Sequence, residues 1–126
     1  MLKAGVVFSS FSVDDLEKAK KFYSETLGLK VDGNEMGLYL NVADGVRVFV
    51  YQKDDHQPAT YTILNFDVDD VDEAVEKLKS QGVKFEFYGG MTDKNGIARG
   101  ISNGYGPDIA WFKDPAGNIL SVLHNK

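Results

Sequence analysis

The chain contains one short pattern twice, and this repeat constrains its fold more than any other feature. The segment FSVDDLEKAK occupies residues 11–20, and FDVDDVDEAV occupies residues 66–75. Each copy is later followed by a glycine and an apolar residue, with Gly28 in the first copy and Gly82 in the second. A unit of this size buries too little apolar surface alone, so the repeat predicts two copies of one supersecondary unit in a single domain, residues 1–126. The two copies either share a sheet within one chain or pair across a dimer.

Each copy changes from a strand pattern to a helix pattern at the same point. Apolar residues alternate in 6–13 and 62–68, and after each pair of aspartates they recur at helical spacing. Three β-rich segments follow each helix: LKVDG, GLYLNVA and VRVFVYQ, then VKFEFYG, DIAWFKD and NILSVLH. Each half therefore has the order β-α-β-β-β, and the predicted fold class is α+β. We place the first module at residues 1–54 and the second at 60–126, joined by a polar linker, KDDHQPAT, at 53–60.

Adjacent aspartates stand where each predicted helix begins. Asp14 with Glu17 has the spacing of a capping box, and Asp69 with Asp72 is a looser version of it. Paired carboxylates can also act as general acid and base. Capping is the favoured interpretation, because an acceptor at this spacing satisfies the unpaired N–H groups of a first helical turn. We therefore assign these aspartates a structural role.

Composition excludes several classes of function. The chain has 14 Lys and Arg against 19 Asp and Glu, a net charge of −5, and we expect no nucleic-acid partner because phosphate binding needs clustered cations. There is no cysteine, which removes disulfides, thiolate metal sites and cysteine nucleophiles. No apolar run approaches the ~20 residues of a membrane-spanning helix, and no signal sequence is recognisable. The sequence predicts a soluble, cytoplasmic protein without membrane association.

Three segments resemble the vicinal oxygen chelate superfamily, the group of glyoxalases, bleomycin-resistance proteins and extradiol dioxygenases. They are FSVDDLEKAKKFYSETLGLKV at residues 11–31, FDVDDVDEAVEKLKSQGVKF at 66–85 and AWFKDPAGNILSVL at 110–123. The resemblance spans essentially the whole chain. It implies paired βαβββ modules whose curled mixed sheets form a cleft, the glyoxalase/bleomycin-resistance fold. It also implies a homodimer.

Metal-using members of this superfamily hold the ion with four side chains in the cleft. Carried over to this sequence, the four positions fall on Phe8, the Val48–Phe49 region, Ile63 and Ser121. Ser121 stands where the superfamily pattern has a glutamate. None of the four positions offers the imidazole or carboxylate that zinc, nickel or iron requires. Both histidines lie elsewhere, one in the linker and one near the C-terminus, so we expect no metal and no other cofactor.

The face that would carry those ligands is predicted to line a cleft for a small molecule. The resemblance and the strand alternation place apolar and hydrogen-bonding side chains on it. The predicted lining residues are Phe8, Ser10, Arg47, Phe49, Tyr51, Ile63, Asn65, Arg99, Tyr105, Trp111 and Ser121. Two alternatives stay open: Val48 and Val50 face inward in place of their neighbours, or Phe8 and Ile63 fill the vacated metal site as core.

A glycine-rich segment, GGMTDKNGIARGISNGYGPD at residues 89–108, shows no clear periodicity. Long segments of this kind in compact domains are often lids or binding loops, and the alternative is a connector without a function of its own. Arg99, Asn103 and Tyr105 are its candidate ligand contacts. Trp111, in the strand that follows, either stacks on an aromatic ligand or belongs to the buried scaffold.

The sequence supports hypotheses from different functional classes. The first is a non-catalytic protein of the bleomycin-resistance kind, which binds a small aromatic or cationic molecule without a catalytic metal. The second is a metal-dependent lyase, isomerase or dioxygenase of the same superfamily with atypical ligands. A third is a degenerate module that serves as a partner or regulator. The fold alone does not decide among them, because one scaffold supports unrelated chemistries.

Overall fold

The computed structural model describes residues 1–125, which form two compact units. The first unit is Met1–Gln57, and the second begins at Pro58. Each unit contains one four-stranded mixed sheet and a helix. The predicted α+β class with two mixed sheets is confirmed. No helix within residues 1–125 has the length and apolar character needed to cross a membrane.

The first unit has the predicted order β-α-β-β-β. Its elements are β1 Ser9–Val13, α1 Leu16–Lys21, β2 Lys30–Asn34, β3 Gly37–Ala43 and β4 Val46–Gln52. The sheet order is β1-β4-β3-β2, with β1 parallel to β4 and the other pairs antiparallel. β1 is shorter than the predicted 6–13, because its pairing with β4 begins only at Ser9. The first strand of the unit thus pairs with its last strand.

Each helix is capped by the second aspartate of its pair. The Asp15 carboxylate accepts a hydrogen bond at 3.1 Å from the amide three residues further on. Asp70 makes the same contact at 3.1 Å in the second copy. The assignment of the caps to Asp14 and Asp69 is therefore wrong by one residue. The structural role of the aspartate pairs is confirmed, because the capping residue is the extended one directly before the first helical turn.

The first helix changes its hydrogen-bond pattern before it ends. α1 continues into a π-helical segment, Phe22–Thr26, and the Leu27 amide donates to the Phe22 carbonyl at 3.0 Å. Tyr23 in this segment is completely buried, and its ring contacts that of Phe22. Gly28, with φ of 73°, then turns the chain toward β2, as a left-handed residue after a helix commonly does.

The hydrophobic core of the first unit lies between the helical segment and one face of the sheet. Its buried side chains are Val13, Ala19, Tyr23, Leu38, Leu40, Val48 and Val50. Because successive residues of a strand point to opposite faces, the alternate residues of β3 and β4 lie on the face turned away from the helix. The valines of β4 therefore belong to the core, and Arg47, Phe49 and Tyr51 lie on the opposite face.

The second unit repeats the topology of the first. Its elements are β5 Thr62–Asp67, α2 Val71–Ser80, β6 Ile97–Arg99, β7 Asp108–Lys113 and β8 Ile119–His124. The sheet order is β5-β8-β7-β6, with β5 parallel to β8 and the other pairs antiparallel. Here too the first strand pairs with the last. The two-copy fold predicted from the repeat is thus present in the topology.

The strand after α2 differs from the sequence prediction. Residues 83–89 form only one isolated bridge, between Phe85 and Phe112, although Val83 and Phe85 are buried as their alternation predicted. The strand lies instead at Ile97–Arg99, inside the segment predicted to be a loop. The physical reason is that β6 pairs with the first three residues of β7 and leaves residues 83–89 only the rest of that edge.

The core of the second unit lies between α2 and one face of its sheet. Its buried apolar residues are Val71, Val75, Val83, Phe85, Ile97, Ala110, Phe112, Leu120 and Val122. In the turn DPAGN between β7 and β8, the buried Asp114 carboxylate accepts hydrogen bonds at 2.9 Å from the amides of Ala116 and Asn118. The predicted tight turn is confirmed. It joins β7 and β8, which pair in register along their whole length.

Candidate functional site

The face of the first sheet that is turned away from α1 carries a row of aromatic side chains. Tyr39 comes from β3, Phe49 and Tyr51 come from β4, and Phe8 precedes β1. The first three are half-buried and Phe8 is 50% exposed. We call this surface the aromatic face. Its accessible rings favour a binding surface, because ligand sites are lined mainly by apolar and aromatic groups.

The four rings of the aromatic face contact one another in series. The ring centroids of Phe8 and Tyr39 are 6.0 Å apart, and those of Tyr39 and Phe49 are 5.0 Å apart. Phe49 and Tyr51 stack at 6.1 Å with 19° between their planes. Separations in this range are favourable for aromatic pairs. The aromatic face is therefore continuous across the two strands.

Gly37 on β3 allows the Phe49 ring to lie close against the sheet. A Cβ atom at position 37 would stand 2.3 Å from the ring of Phe49, closer than a side chain tolerates. The missing side chain leaves room for the ring, and Gly37 is buried. The placement of Phe49 thus depends on a residue of the neighbouring strand.

Arg47 adds a positive charge at one end of the aromatic face. Its Cζ atom lies 3.9 Å from the centroid of the Tyr39 ring, within the range of a cation–π interaction. Arg47 pairs with Asn41 in the register of β3 and β4. The Asn41 amide donates hydrogen bonds to the Lys30 carbonyl at 2.9 Å and to the Asp32 carboxylate at 3.0 Å. This end of the face therefore combines an accessible cation with a small hydrogen-bonded polar group.

A serine and a histidine meet at the other end of β4. Ser10 pairs with Phe49, and Ser12 pairs with Tyr51, in the parallel register of β1 and β4. The Ser12 hydroxyl and Nδ1 of His56 are 2.7 Å apart. This contact fastens the segment predicted as a polar linker to the first strand. The sequence pattern of residues 53–60 did not predict it, because no periodicity links His56 to β1.

In the second unit, the sheet face turned away from α2 carries Asn65, Trp111 and Ser121. Ser121 pairs in register with both of the others, and its fully buried hydroxyl donates a hydrogen bond to Asn65 Oδ1 at 2.6 Å. Trp111 is half-buried, and its ring contacts that of Tyr88 at 5.4 Å with 82° between the planes. Ile63 lies in β5 beside an irregularity of the strand register. The structure thus brings three of the predicted site residues of this unit into direct contact or register.

The positions that superfamily members use for a metal do not fit a divalent cation. Phe8, Val48–Phe49 and Ile63 have no side-chain oxygen or nitrogen, and the Ser121 hydroxyl is directed to a neighbouring amide oxygen. Zinc, nickel and iron take imidazole, thiolate or carboxylate ligands. Within residues 1–125 there is also no group of three or more His, Asp and Glu side chains placed to hold an ion.

Arg99 lies against the helix of the second unit. Its guanidinium donates two hydrogen bonds to the Asp72 carboxylate, at 2.9 and 2.7 Å, and one to Asp93 at 3.1 Å. Asp108 Oδ2 lies 3.7 Å from Nη1 of Arg99. We call these four residues the Arg99 clamp. The clamp connects β6 and the glycine-rich segment to α2, and a ligand contact for Arg99 stays a prediction.

Hydrogen bonds and burial in the Arg99 clamp shift the pKa values of Asp72, Asp93 and Arg99. The hydrogen bonds from Arg99 lower the pKa of Asp72, and the hydrogen bond to Asp72 is the main cause that raises the pKa of Arg99. Burial acts to raise the pKa of Asp93, but hydrogen bonds from two backbone amides and from Arg99 outweigh it, so that pKa is lowered. All of these groups are therefore held in their charged forms.

The other candidate contacts in the glycine-rich segment lie in the turn between β6 and β7. The Asn103 amide donates to the Arg99 carbonyl at 2.7 Å, and Tyr105 is 78% exposed. A Cβ atom at Gly100 would meet three carbonyl oxygens of residues 105–107 within 2.7 Å, so the turn is folded tightly onto itself. The ligand contact predicted for Tyr105 stays a prediction.

Several residues of these surfaces were not predicted from the sequence. Tyr39 carried a usable signal, because it alternates with the buried leucines of β3 and so had to lie on the opposite face. Asn41 and Asp32 belong to the same face by their hydrogen bond. Tyr88 had no such signal, since the segment that carries it is not a regular strand.

Comparisons with known proteins agree with this architecture. The family model described as Glyoxalase/Bleomycin resistance protein/Dioxygenase superfamily matches residues 6–122. Fosfomycin resistance protein FosX from Listeria monocytogenes is similar at 17% identity and a TM-score of 0.70, over 99% of this chain and 96% of that chain. A glyoxalase family protein from Enterococcus faecalis is 20% identical with a TM-score of 0.69, over 94% of this chain and 96% of that chain.

A third similar structure is that of a binding protein. TnmS3, an antibiotic binding protein from Streptomyces sp. CB03234, is 25% identical with a TM-score of 0.64, over 99% of this chain and 100% of that chain. No curated protein sequence matches the chain significantly.

Proposed function

Because the chain belongs to the glyoxalase/bleomycin resistance protein/dioxygenase superfamily, we propose that it binds a small aromatic molecule on the aromatic face of its first unit. The observation that carries this proposal is the continuous contact of Tyr39, Phe49 and Tyr51 on an accessible sheet face. Within this row the rings of Phe49 and Tyr51 are only 19° from parallel. This pair favours planar ligands, since stacked aromatic pairs gain about 0.5–1.5 kcal/mol beyond buried area. Half-buried rings also keep surface available for a ligand.

Polar groups at both ends of the aromatic face supply the contacts that orient a ligand. Arg47 and Asn41 lie at one end, and Ser12 with His56 lies at the other. Small-molecule sites typically combine an apolar lining with a few hydrogen-bonding groups of this kind.

The similarity to TnmS3 supports a binding role. TnmS3 is an antibiotic binding protein, and at 25% identity the match covers 99% of this chain and 100% of that chain. We propose by analogy that the ligand is an antibiotic-like compound. We further propose, from the superfamily resemblance, that the protein acts as a homodimer. The net charge of −5 supports the proposal that it has no nucleic-acid partner, and a cytoplasmic location is likewise proposed.

We propose that binding occurs without a catalytic metal. The support is the donor set at the metal positions, which contains one hydroxyl and no imidazole or carboxylate. The competing function is a metal-dependent lyase, isomerase or dioxygenase with ligands at other positions. Elemental analysis of purified protein separates the two, because about one equivalent of zinc, nickel, manganese or iron per chain would favour the enzyme.

Calorimetry with a neutral aromatic probe tests the binding proposal. We expect naphthalene-2-carboxamide to bind the full chain more tightly than cyclohexanecarboxamide. Tyr51→Leu should lower the affinity for naphthalene-2-carboxamide about fivefold, because it removes one ring of the aromatic face. Phe87→Leu is the matched control, since Phe87 is 60% exposed in the second unit. Equal affinity for the two compounds, or equal losses in both variants, would contradict the proposal.

A further inference from the structure

Arg47 is placed as a recognition group on the aromatic face. Arg47 belongs to β4, pairs with Asn41 of β3 and is followed by the core residue Val48, so its backbone is held in the sheet. Its guanidinium carbon lies 3.9 Å from the centre of the Tyr39 ring. Stacking on an aromatic ring holds a guanidinium in one orientation and leaves its N–H edge available. The cation is thus positioned by the protein and still accessible.

The charge of Arg47 is not neutralised by an acidic side chain. Within residues 1–125 it makes no ion pair, whereas Arg99 contacts three carboxylates. The nearest carboxylate in the strand register, Asp32, accepts a hydrogen bond from Asn41. The two arginines of the chain therefore differ in kind: one is a structural clamp, and the other presents a cation beside aromatic rings.

The rings beside Arg47 form a surface of fixed shape. Tyr39 contacts Phe49 at 5.0 Å, and Phe49 is held close to the sheet by the missing side chain at Gly37. The Tyr39 and Phe49 rings are inclined by 50°, whereas those of Phe49 and Tyr51 are only 19° from parallel. A planar molecule lying on Phe49 and Tyr51 would direct a substituent at its edge along β4 toward Arg47, which lies two residues before Phe49 on the same face. Arg pairs with carboxylates through two parallel hydrogen bonds, which adds both energy and geometric selectivity.

We infer that the ligand of the aromatic face is a planar aromatic molecule that carries an anionic group, and that Arg47 binds this group. The inference rests on the proposed function and adds the chemical class of the ligand. Overall charge would oppose it: the chain carries −5, so long-range electrostatics disfavours anions. A preference for an anionic ligand must therefore come from a local cation.

Matched pairs of probes isolate the charge and the ring. Naphthalene-2-carboxylate and naphthalene-2-carboxamide differ in charge at nearly constant shape, and cyclohexanecarboxylate keeps the charge without the aromatic ring. Affinities are measured by calorimetry at pH 7 on the full chain and on Arg47→Met. Lys20→Met is the control, because Lys20 is an exposed cation on α1 and its loss changes the net charge equally.

We expect the naphthoate to bind about tenfold more tightly than the amide, a difference typical of one charge-assisted contact. Arg47→Met should remove this preference, and Lys20→Met should keep it. Thermal unfolding of the variant checks that it is folded, which the exposed position of Arg47 favours.

Each contrary outcome has one meaning. If both naphthalene compounds bind equally to the native chain, or if Arg47→Met keeps the preference, the inference is wrong while the proposed function stands. If cyclohexanecarboxylate binds as well as the naphthoate, the aromatic part of the inference is wrong. If neither naphthalene compound binds, both the inference and the proposed function fail.

Discussion

At the scale of single residues, the aromatic face depends on the side chain that Gly37 lacks. The Phe49 ring occupies the space that a Cβ atom at position 37 would need, so a ring on one strand is fitted to a glycine on the next. The same face places Arg47 over Tyr39. Both contacts join neighbouring strands, and neither is visible in the periodicity of one strand alone.

Gly37→Ala is expected to displace the Phe49 ring, which weakens both the binding of aromatic ligands and the stability of the fold. The added methyl group would lie 2.3 Å from the ring, and the ring can rotate away, so we expect a loss of about 1–2 kcal/mol in the free energy of unfolding. Affinity for naphthalene-2-carboxamide should fall severalfold, because the aromatic face is broken at its centre. Urea unfolding and calorimetry measure the two effects.

Gly89→Ala is the matched control for this substitution, since an added Cβ there meets open space. We expect it to change stability by less than about 0.5 kcal/mol. If Gly37→Ala left both stability and affinity as they are in the control, the packing of Phe49 on Gly37 would contribute to neither folding nor ligand binding.

At the scale of elements, the two repeated aspartates have unequal roles in each helix. Asp15 and Asp70 accept the capping hydrogen bonds, while Asp14 and Asp69 stand one residue earlier and are exposed. The sequence predicted that an aspartate of each pair caps the helix. It did not predict which one, because either residue of a pair suits a helix start.

Asp70→Ala is expected to lower the free energy of unfolding by about 1 kcal/mol, because the Glu73 amide loses its acceptor. Asp69→Ala is the control, and we expect it to change the free energy of unfolding by less than about 0.5 kcal/mol. Urea unfolding at pH 7 measures both. Equal effects at the two positions would show that the carboxylate acts through general charge near the helix start and not through the cap.

The Arg99 clamp connects elements of the second unit, and it predicts that the stability of the fold depends on pH. The pKa values of Asp72 and Asp93 are lowered in the folded protein. Carboxylates of this kind contribute stability that is complete above their unfolded pKa of about 3.9, and it is lost as the pH falls through the lower folded values. The Arg99 clamp should therefore stabilise the fold at neutral pH, and this contribution should be lost at acidic pH.

Arg99→Met is expected to lower the free energy of unfolding by about 1 kcal/mol at pH 7, a modest value because its partners are partly exposed. Below about pH 4 the difference from the native chain should shrink. Urea unfolding between pH 7 and pH 2 measures it. Lys77→Met, which removes an exposed ion pair to Glu73 on the same helix, is the control. A difference that stays constant across this range would contradict the role assigned to the carboxylates.

At the scale of the whole molecule, the repeat predicted the topology well. Both units pair their first strand with their last and follow the same strand order. The repeat did not predict the position of β6, the edge strand of the second sheet. The alternation of Val83 and Phe85 reflects burial, but β6 takes part of the β7 edge, and such competition between segments is a property of the folded sheet.

The candidate site was predictable only in part for the same kind of reason. Alternation along β4 placed Arg47, Phe49 and Tyr51 on one face, yet it left open which face was buried. The helix decided this, because Val48 and Val50 pack into the core. Contacts between distant segments, such as Ser12 with His56, have no local signal in the sequence.

Removal of metal ions is expected to leave the whole protein unchanged. Treatment with EDTA should not shift the midpoint of thermal unfolding, because the superfamily's metal positions offer no imidazole or carboxylate. Added zinc or nickel should likewise not stabilise it, whereas an ion at 100 times its Kd would add about 2.7 kcal/mol. A midpoint that falls with EDTA and recovers with one kind of ion would favour the metal-dependent alternative.

The pairing of first with last strand in each unit also sets the order of events during synthesis. A chain leaving the ribosome cannot complete its first sheet until β4, which ends at Gln52, has emerged, because β1 has no other partner in that sheet. From then on the first unit has all its strands while the second repeat is still being translated. The duplicated topology therefore divides biogenesis into two successive closures, each waiting for its own final strand.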